Sequence, residues 1–277
     1  MISRVTSLTQ FYKSALRYAP HTLKIWALHK LAPQTIPLIT RNANFKVLRR
    51  VMMSSDESVN EYYHNLERDE AFSTHILNVY REAGRLNFGQ LACLPELYVI
   101  TRMLKPTAVV ETGVASGMSS AFILKALEDN RGNGHLYSID LPEKIDYEDS
   151  IAVMLPSGKK IGWAIPHQYE KRWSLILGKS SDVLPSLLKR LGAVDIFLHD
   201  SDHSYSNMMQ EFTSVWSSVK PKGLLISDDV NRNSAFNNFS QKIGLKPFYL
   251  IGPRVLPTLN HPNPQALSLI GILRKSI

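Results

Sequence analysis

Ile196-Phe-Leu-His-Asp-Ser-Asp-His203 is an apolar run that ends in carboxylates, and Leu224-Leu-Ile-Ser-Asp-Asp229 repeats the pattern one helix later. A short buried run of this kind, bounded by polar residues, reads as a strand of a parallel α/β sheet, whose ligand crevice opens at the carboxyl ends of its strands. Two neighbouring strand ends bring Asp200, Asp228 and Asp229 together. Three carboxylates so placed repel one another unless a cation lies among them, and oxygen ligands suit Mg²⁺ or another hard divalent ion. A shared ion requires Asp200 to lie within about 8 Å of the Asp228-Asp229 pair, since its ligands sit at roughly 2.1 Å. His203 falls at the edge of this site, where a neutral imidazole can take a proton from an acceptor hydroxyl.

Outward from this pair, strand and helix patterns alternate. Strands are expected at 108–112, 135–140, 173–177, 194–199 and 223–227, with helices at 117–129, 182–191, 205–219 and 234–243. Residues 248–251 and 267–273 read as a closing strand pair. The alternation implies a Rossmann-like α/β domain, a mostly parallel sheet with helices on both faces, from residue 89 to the end. The insertion at 141–172 is too long for a simple connection. Its Gly, Pro and Trp residues suggest an ordered loop at the rim of the ligand crevice, with Trp163 either an anchor or a contact.

Residues 1–88 read as an N-terminal helical arm and cap. Of the 32 Lys and Arg in the chain, nine fall in residues 1–55, which hold no acid; the other 23 face 24 acidic residues. Basicity therefore belongs to the arm, and a nucleic-acid enzyme, whose basic footprint would surround its site, is disfavoured. Apolar residues at helical spacing over 8–19 and 23–31 make the arm amphipathic, and its apolar runs are far shorter than the about 20 residues that span a bilayer. Three readings compete for it: packing on the body or on a second copy in a homo-oligomer, peripheral membrane contact through residues 1–55, and a cleaved transit peptide. A secretory signal is disfavoured by Lys24, His29 and Lys30 inside the apolar part. From residue 54 a helix or helix pair runs to about 83, opened by a Ser58/Glu61 capping box, followed by a helix ending at 104 with Pro95 in its first turn. Cys93, the single cysteine, excludes an internal disulfide and reads as a core residue in a reducing, cytoplasmic compartment.

Glu111-Thr-Gly-Val-Ala-Ser-Gly117 joins the first strand to its helix. Gly113 and Gly117 allow a tight turn close to a ligand, but Ala115 and Met118 replace the second and third glycines of the dinucleotide fingerprint, which lowers the odds of a pyrophosphate ligand. Asp140, ending the second strand, is the acid expected to hold ribose hydroxyls. Loop and acid together favour an adenosine-bearing ligand without a pyrophosphate.

The order of these motifs, with Gly178-Lys-Ser-Ser181 after the third strand, resembles the class I S-adenosylmethionine-dependent methyltransferases over residues 89–250. It is most similar to their metal-dependent O-methyltransferase branch, which includes catechol and macrolide-sugar O-methyltransferases. The resemblance implies that Glu111, Gly113, Ser116 and Gly117 line the methionine part of the cofactor, that Asp140 binds its ribose and that Ser180 and Ser181 border its adenine. It implies Asp200, Asp228 and Asp229 as ligands of Mg²⁺. Catechol-type enzymes have Lys where this chain has His203 and Asp-Asn where it has Asp228-Asp229; the forms found here resemble the sugar-modifying relatives, which moves the expected acceptor toward the hydroxyl of a sugar or other small molecule. Two other classes remain in play: an NAD-dependent oxidoreductase on the same fold and a non-catalytic adenosine-ligand-binding protein.

Other residues have blander readings. His199, one residue inside its strand end, is expected to be a hydrogen-bonded core residue, and Asp202 to orient its loop. Tyr205, Phe212 and Trp216 fit the core spacing of a helix, and Asn231 and Asn233 are candidate polar groups on the substrate side.

Overall fold

The computed structural model describes residues 36–83, 91–142, 155–253 and 267–277. The amphipathic stretches at 8–19 and 23–31, the turn at 87–89, residues 143–154 of the 141–172 insertion and the Pro-rich loop at 254–266 lie outside the described residues.

Among the described residues, four helices precede the sheet: α1 (Ile36–Met52), α2 (Asp56–Glu67), α3 (Glu70–Ala83) and α4 (Leu94–Leu104). The chain then alternates through β1 (Ala108–Thr112), α5 (Met118–Asp129), β2 (His135–Asp140), a 3₁₀ turn (His167–Arg172), β3 (Trp173–Leu177), α6 (Ser180–Leu191), β4 (Val194–His199), α7 (Tyr205–Trp216), β5 (Val219–Ser227) and α8 (Ala235–Lys242). It closes with β6 (Phe248–Pro253) and β7 (Leu267–Arg274).

The strands form one sheet in the order β3-β2-β1-β4-β5-β7-β6. β1 to β5 pair in parallel, and β7 runs antiparallel to both β5 and β6. The strand order reverses between β1 and β4, and such a switch point is where an open α/β sheet leaves a crevice. Register then decides what lines it. Thr112 pairs with Ile139 on one side and His199 on the other, and His199 pairs with Ser227, so four strands end at one level. The ladder runs one residue further, with the Asp200 N–H donating to the Thr112 carbonyl at 2.8 Å and the Asp228 N–H to the His199 carbonyl at 2.9 Å.

Alternation along the strands sorts side chains to two faces. Val109, Ile196, Leu198, Leu224 and Ile226 face a core shared with α1 to α5, while Val110, Phe197 and Leu225 face a core shared with α6 to α8. The helices at 36–83 thus pack into the same apolar cluster as one face of the sheet. Asn44 of α1 seals the sheet's outer edge: its side chain donates to the Ile251 carbonyl and accepts from the Ile251 N–H, both at 3.0 Å. Covering an edge strand at one position in this way makes it a poorer template for pairing with another chain.

Three local readings need correction. α2 is capped by Ser55, whose hydroxyl accepts from the Ser58 N–H, so Ser58 is the third helical residue and not the cap. α7 stops at Trp216, and Val219 opens β5, four residues before the expected strand start. Tyr205 is 45% exposed at the first turn of α7, whereas Phe212 is buried as expected.

Candidate active site

Asp200, His203 and Asp228 converge: each offers one ligand atom within 4.8 Å of those of the other two. His203 Nε2 stands 3.8 Å from Asp200 Oδ1. Asp229 is not in this group. Its Oδ2 pairs with the Arg232 guanidinium at 2.5 Å and its Oδ1 accepts from Ser268 Oγ at 2.7 Å, the same hydroxyl that approaches Asp228 Oδ1 at 2.6 Å. Asp229 also adopts a left-handed backbone, φ +48°, uncommon for a residue with a side chain and frequent where function constrains the chain. The adjacent acids thus share the Ser268 hydroxyl, and the other oxygen of Asp229 is taken by Arg232.

The loop after β1 is held from two sides. Asp140 Oδ2 accepts the backbone N–H groups of Val114 at 3.0 Å and Ala115 at 2.7 Å, and its Oδ1 accepts that of Leu141 at 2.7 Å. On the other side, the Gly162 N–H donates to the Ala115 carbonyl at 2.9 Å and the Ala164 N–H to the Ser116 carbonyl at 2.8 Å. The insertion thus lies against the glycine loop, and His75 of α3 meets the Ala164 carbonyl at 2.8 Å. Trp163 sits under the Lys159 ammonium, 4.8 Å from the ring centre, a packed position.

The two glycines owe their identity to the protein itself as much as to any ligand. A Cβ on Gly113 would stand 2.1 Å from the Asp200 carbonyl oxygen, and one on Gly117 would stand 2.8 Å from Gly162 Cα. Both have the positive φ that favours glycine, +84° and +85°. Glu111, expected on the cofactor, is instead 0% exposed, with Oε1 accepting from Ser119 Oγ and Oε2 from Ser120 at 2.6 Å and Ser138 at 2.8 Å. Burial raises its carboxyl above the usual range, against the three hydroxyls that lower it. Glu111 therefore joins β1, β2 and α5 beneath the loop. Ser116 is likewise fully buried. At the start of α6, Ser180 Oγ reaches Asn207 Oδ1 at 3.5 Å, while Ser181 bonds the Asp182 carboxylate at 2.9 Å on the surface.

His199 is a buried, hydrogen-bonded residue, as anticipated: its Nδ1 donates to Glu211 Oε2 at 2.7 Å and its ring lies edge-on to His203, 5.2 Å between centres. Its Nε2 is buried with no hydrogen-bond partner among the described residues. Glu211, which the sequence reading passed over, is almost fully buried on α7. Burial raises its pKa, but the charge of His199 and the bonds from His199, Ser180 and Thr112 outweigh it and hold the group at about 2. Its signal in the sequence was a charge inside the apolar stripe Met208, Phe212, Val215. Asp202 orients its loop as expected, accepting the Ser204 N–H and hydroxyl at 2.9 and 2.8 Å. Asn233 supports the site from behind, donating to the His203 carbonyl at 2.7 Å. Cys93 is buried, and burial, then the charges of Glu96 and Asp228, push its thiol well above the ordinary value.

Residues 110–230 match a family model described as a methyltransferase domain. The match runs from β1 to just past β5, the parallel part of the sheet that carries the converging side chains. Among solved structures, a putative O-methyltransferase from Klebsiella pneumoniae is 17% identical, with a TM-score of 0.50, over 76% of this chain and 91% of that one. An O-methyltransferase from Bacillus cereus, solved in complex with SAH, is 14% identical, with a TM-score of 0.50, over 84% and 97%. The cofactor-bound protein Rv0187 from MTB is 13% identical, with a TM-score of 0.51, over 76% and 92%. At these identities the likeness is one of fold. No curated protein matches the chain.

Proposed function

We propose that this chain is an S-adenosylmethionine-dependent O-methyltransferase that uses a divalent cation, Mg²⁺ or another hard ion, and acts on a hydroxyl of a small molecule or sugar. The observation that carries this reading is the convergence of Asp200, His203 and Asp228 at the end of the sheet where the strand order reverses. Two carboxylates and an imidazole within 4.8 Å of one another suit a hard divalent ion and are electrostatically costly without one.

S-adenosylmethionine, when bound, supplies a methyl group already activated on a sulfonium, and the ion supplies positive charge that lowers the pKa of an acceptor hydroxyl. The chain's own work is binding, orientation and proton removal. Asp140 is half-buried and, with three N–H bonds across two oxygens, keeps lone pairs for ribose hydroxyls. The loop at 113–117 borders the methionine part, and Ser180 and Ser181 border the adenine. Asp200 and Asp228 hold the ion, with Asp229 beside them restrained by Arg232. His203 takes the proton from the acceptor hydroxyl at Nε2.

Of the arm, residues 36–52 pack on the body, where Asn44 bonds the Ile251 backbone of β6 and the Arg274 guanidinium of β7 donates to the Val51 carbonyl. Within it, Arg41 pairs with Glu67 and Arg49 with Asp56, at the two ends of α2. No helix among the described residues is long and apolar enough to cross a membrane.

The test is methyl transfer from labelled S-adenosylmethionine to a panel of sugar and phenolic hydroxyls, with Mg²⁺ and with chelator. Turnover that chelator abolishes and Mg²⁺ restores supports the reading. Turnover indifferent to chelator removes the metal, and binding of NAD in place of S-adenosylmethionine removes the methyl transfer.

A further inference from the structure

Residues 200–204, between β4 and α7, carry two of the three converging side chains, and a single carboxylate fixes their course. Glu211, midway along α7, divides its two oxygens between strand ends and loop. Oε2 accepts from Thr112 Oγ1 at 2.6 Å and from His199 Nδ1 at 2.7 Å, the last residues of β1 and β4. Oε1 accepts from Ser201 Oγ at 2.7 Å and from Asn207 Nδ2 at 3.2 Å. Asn207 also donates to the Asp202 carbonyl at 2.8 Å and to Ser201 Oγ at 3.1 Å. The two central strands and the loop that leaves them are thus clasped at one point.

Core packing does not call for a charge there. The rest of the buried face of α7 is Met208, Phe212 and Val215, and an apolar side chain in place of a buried ion pair is often neutral or stabilising. A buried carboxylate with bonds directed at both oxygens instead specifies position: it sets where Ser201 lies, and so where Asp200 and His203 lie on either side of it. The His199 ring, held by the same carboxylate, packs edge-on against His203 and limits its swing.

We infer that Glu211 is the positioning residue of the divalent-cation site, holding Asp200 at the spacing that lets it share an ion with Asp228 and keeping His203 at the edge of that site. The inference rests on the metal-dependent reading above. Glu211 acts through Ser201, Asn207 and His199 and touches neither ion nor substrate. Groups that orient metal ligands in this way typically cost 10- to 100-fold in metal affinity when changed.

The experiment uses the full chain and Mn²⁺ as the probe, followed by electron paramagnetic resonance, with S-adenosylhomocysteine binding measured in parallel by calorimetry. Glu211→Gln and Ser201→Ala should each weaken Mn²⁺ binding by about tenfold or more; Ser201→Ala should leave S-adenosylhomocysteine affinity as in the wild type, and Glu211→Gln, whose carboxylate also meets Ser180, should lose far less of it than of Mn²⁺ affinity. Saturating Mn²⁺ should restore turnover to Glu211→Gln and fail to restore it to Asp200→Ala. Unchanged Mn²⁺ affinity in both variants overturns the positioning role, and so does an equal loss of Mn²⁺ and S-adenosylhomocysteine binding, which marks a general support of the strand ends. A wild-type chain that binds no Mn²⁺ rejects the metal-dependent reading itself. Should Glu211→Gln fail to fold, Ser201→Ala, which removes one hydroxyl from a half-exposed residue, decides alone.

Discussion

Asp140, the last residue of β2, accepts the backbone N–H of Ala115, in the loop after β1, at 2.7 Å. Ala115 has a left-handed backbone, φ +48°, which a residue with a Cβ adopts at a cost. The Asp140 carboxylate, the neighbouring bond to Val114 and the Gly162 N–H on the Ala115 carbonyl hold it there. One carboxylate thus shapes the glycine loop and faces the place proposed for the ribose.

Asp140→Asn should therefore weaken S-adenosylhomocysteine binding by about 10- to 100-fold, the worth of one or two charge-assisted hydrogen bonds. Calorimetry reads this directly, and Mn²⁺ affinity should stay as in the wild type. Equal cofactor affinity in the variant would remove Asp140 from the site.

Gly113→Ala should damage fold and site together. The added Cβ meets the Asp200 carbonyl at 2.1 Å and must also occupy φ +84°. Overpacking of backbone against backbone costs about 1–3 kcal/mol or more. A fall in the thermal midpoint with loss of Mn²⁺ binding is expected. A variant as stable as the wild type would contradict the close approach.

Much of this arrangement is readable from residues alone, because strands buried on both faces leave unmistakable runs such as 196–199 and 224–227, and their register then sets Asp200 beside Asp228. The end of α7 was misread for a physical reason. Phe212, Val215, Trp216 and Val219 keep helical spacing, and Val219 is buried anyway as the start of β5. Adjacency in sequence does not fix the partners of Asp229: with a positive φ it meets Arg232 and Ser268, which no local pattern predicts. Glu111 sits where a loop acid is expected, yet its partners Ser119, Ser120 and Ser138 come from two other elements, which no local pattern reveals.

Glu96 of α4 is buried among Asn44 and Tyr63, which donate to its Oε1 at 2.9 and 3.1 Å. Burial raises its pKa despite those bonds. A carboxyl raised in the folded state adds stability that is present below its unfolded value, about 4.3, and is lost as pH rises through the folded one. Glu96→Gln should therefore be more stable than the wild type in denaturant at pH 7, with the gain vanishing near pH 4. A loss of stability at pH 7 would show that the ionised form is the favoured one.

Glu211 carries the opposite sign. Held at about 2 against an ordinary 4.5, it contributes stability that is fully present above pH 4.5 and is lost as pH falls through about 2. Glu211→Ala, which strands His199 in the core, should cost about 3–5 kcal/mol at pH 7. The gap between variant and wild type should narrow as the solution is acidified below pH 4.5, and a gap that does not change with pH would refute the ionised assignment.

The central claim is that Asp200 and Asp228 share one divalent ion, and Mn²⁺ titration of the wild type, Asp200→Ala and Asp228→Ala tests it most directly. One Mn²⁺ per wild-type chain is predicted, lost in each variant while S-adenosylhomocysteine still binds. Mn²⁺ binding of wild-type strength in either variant, or none in the wild type, would contradict it.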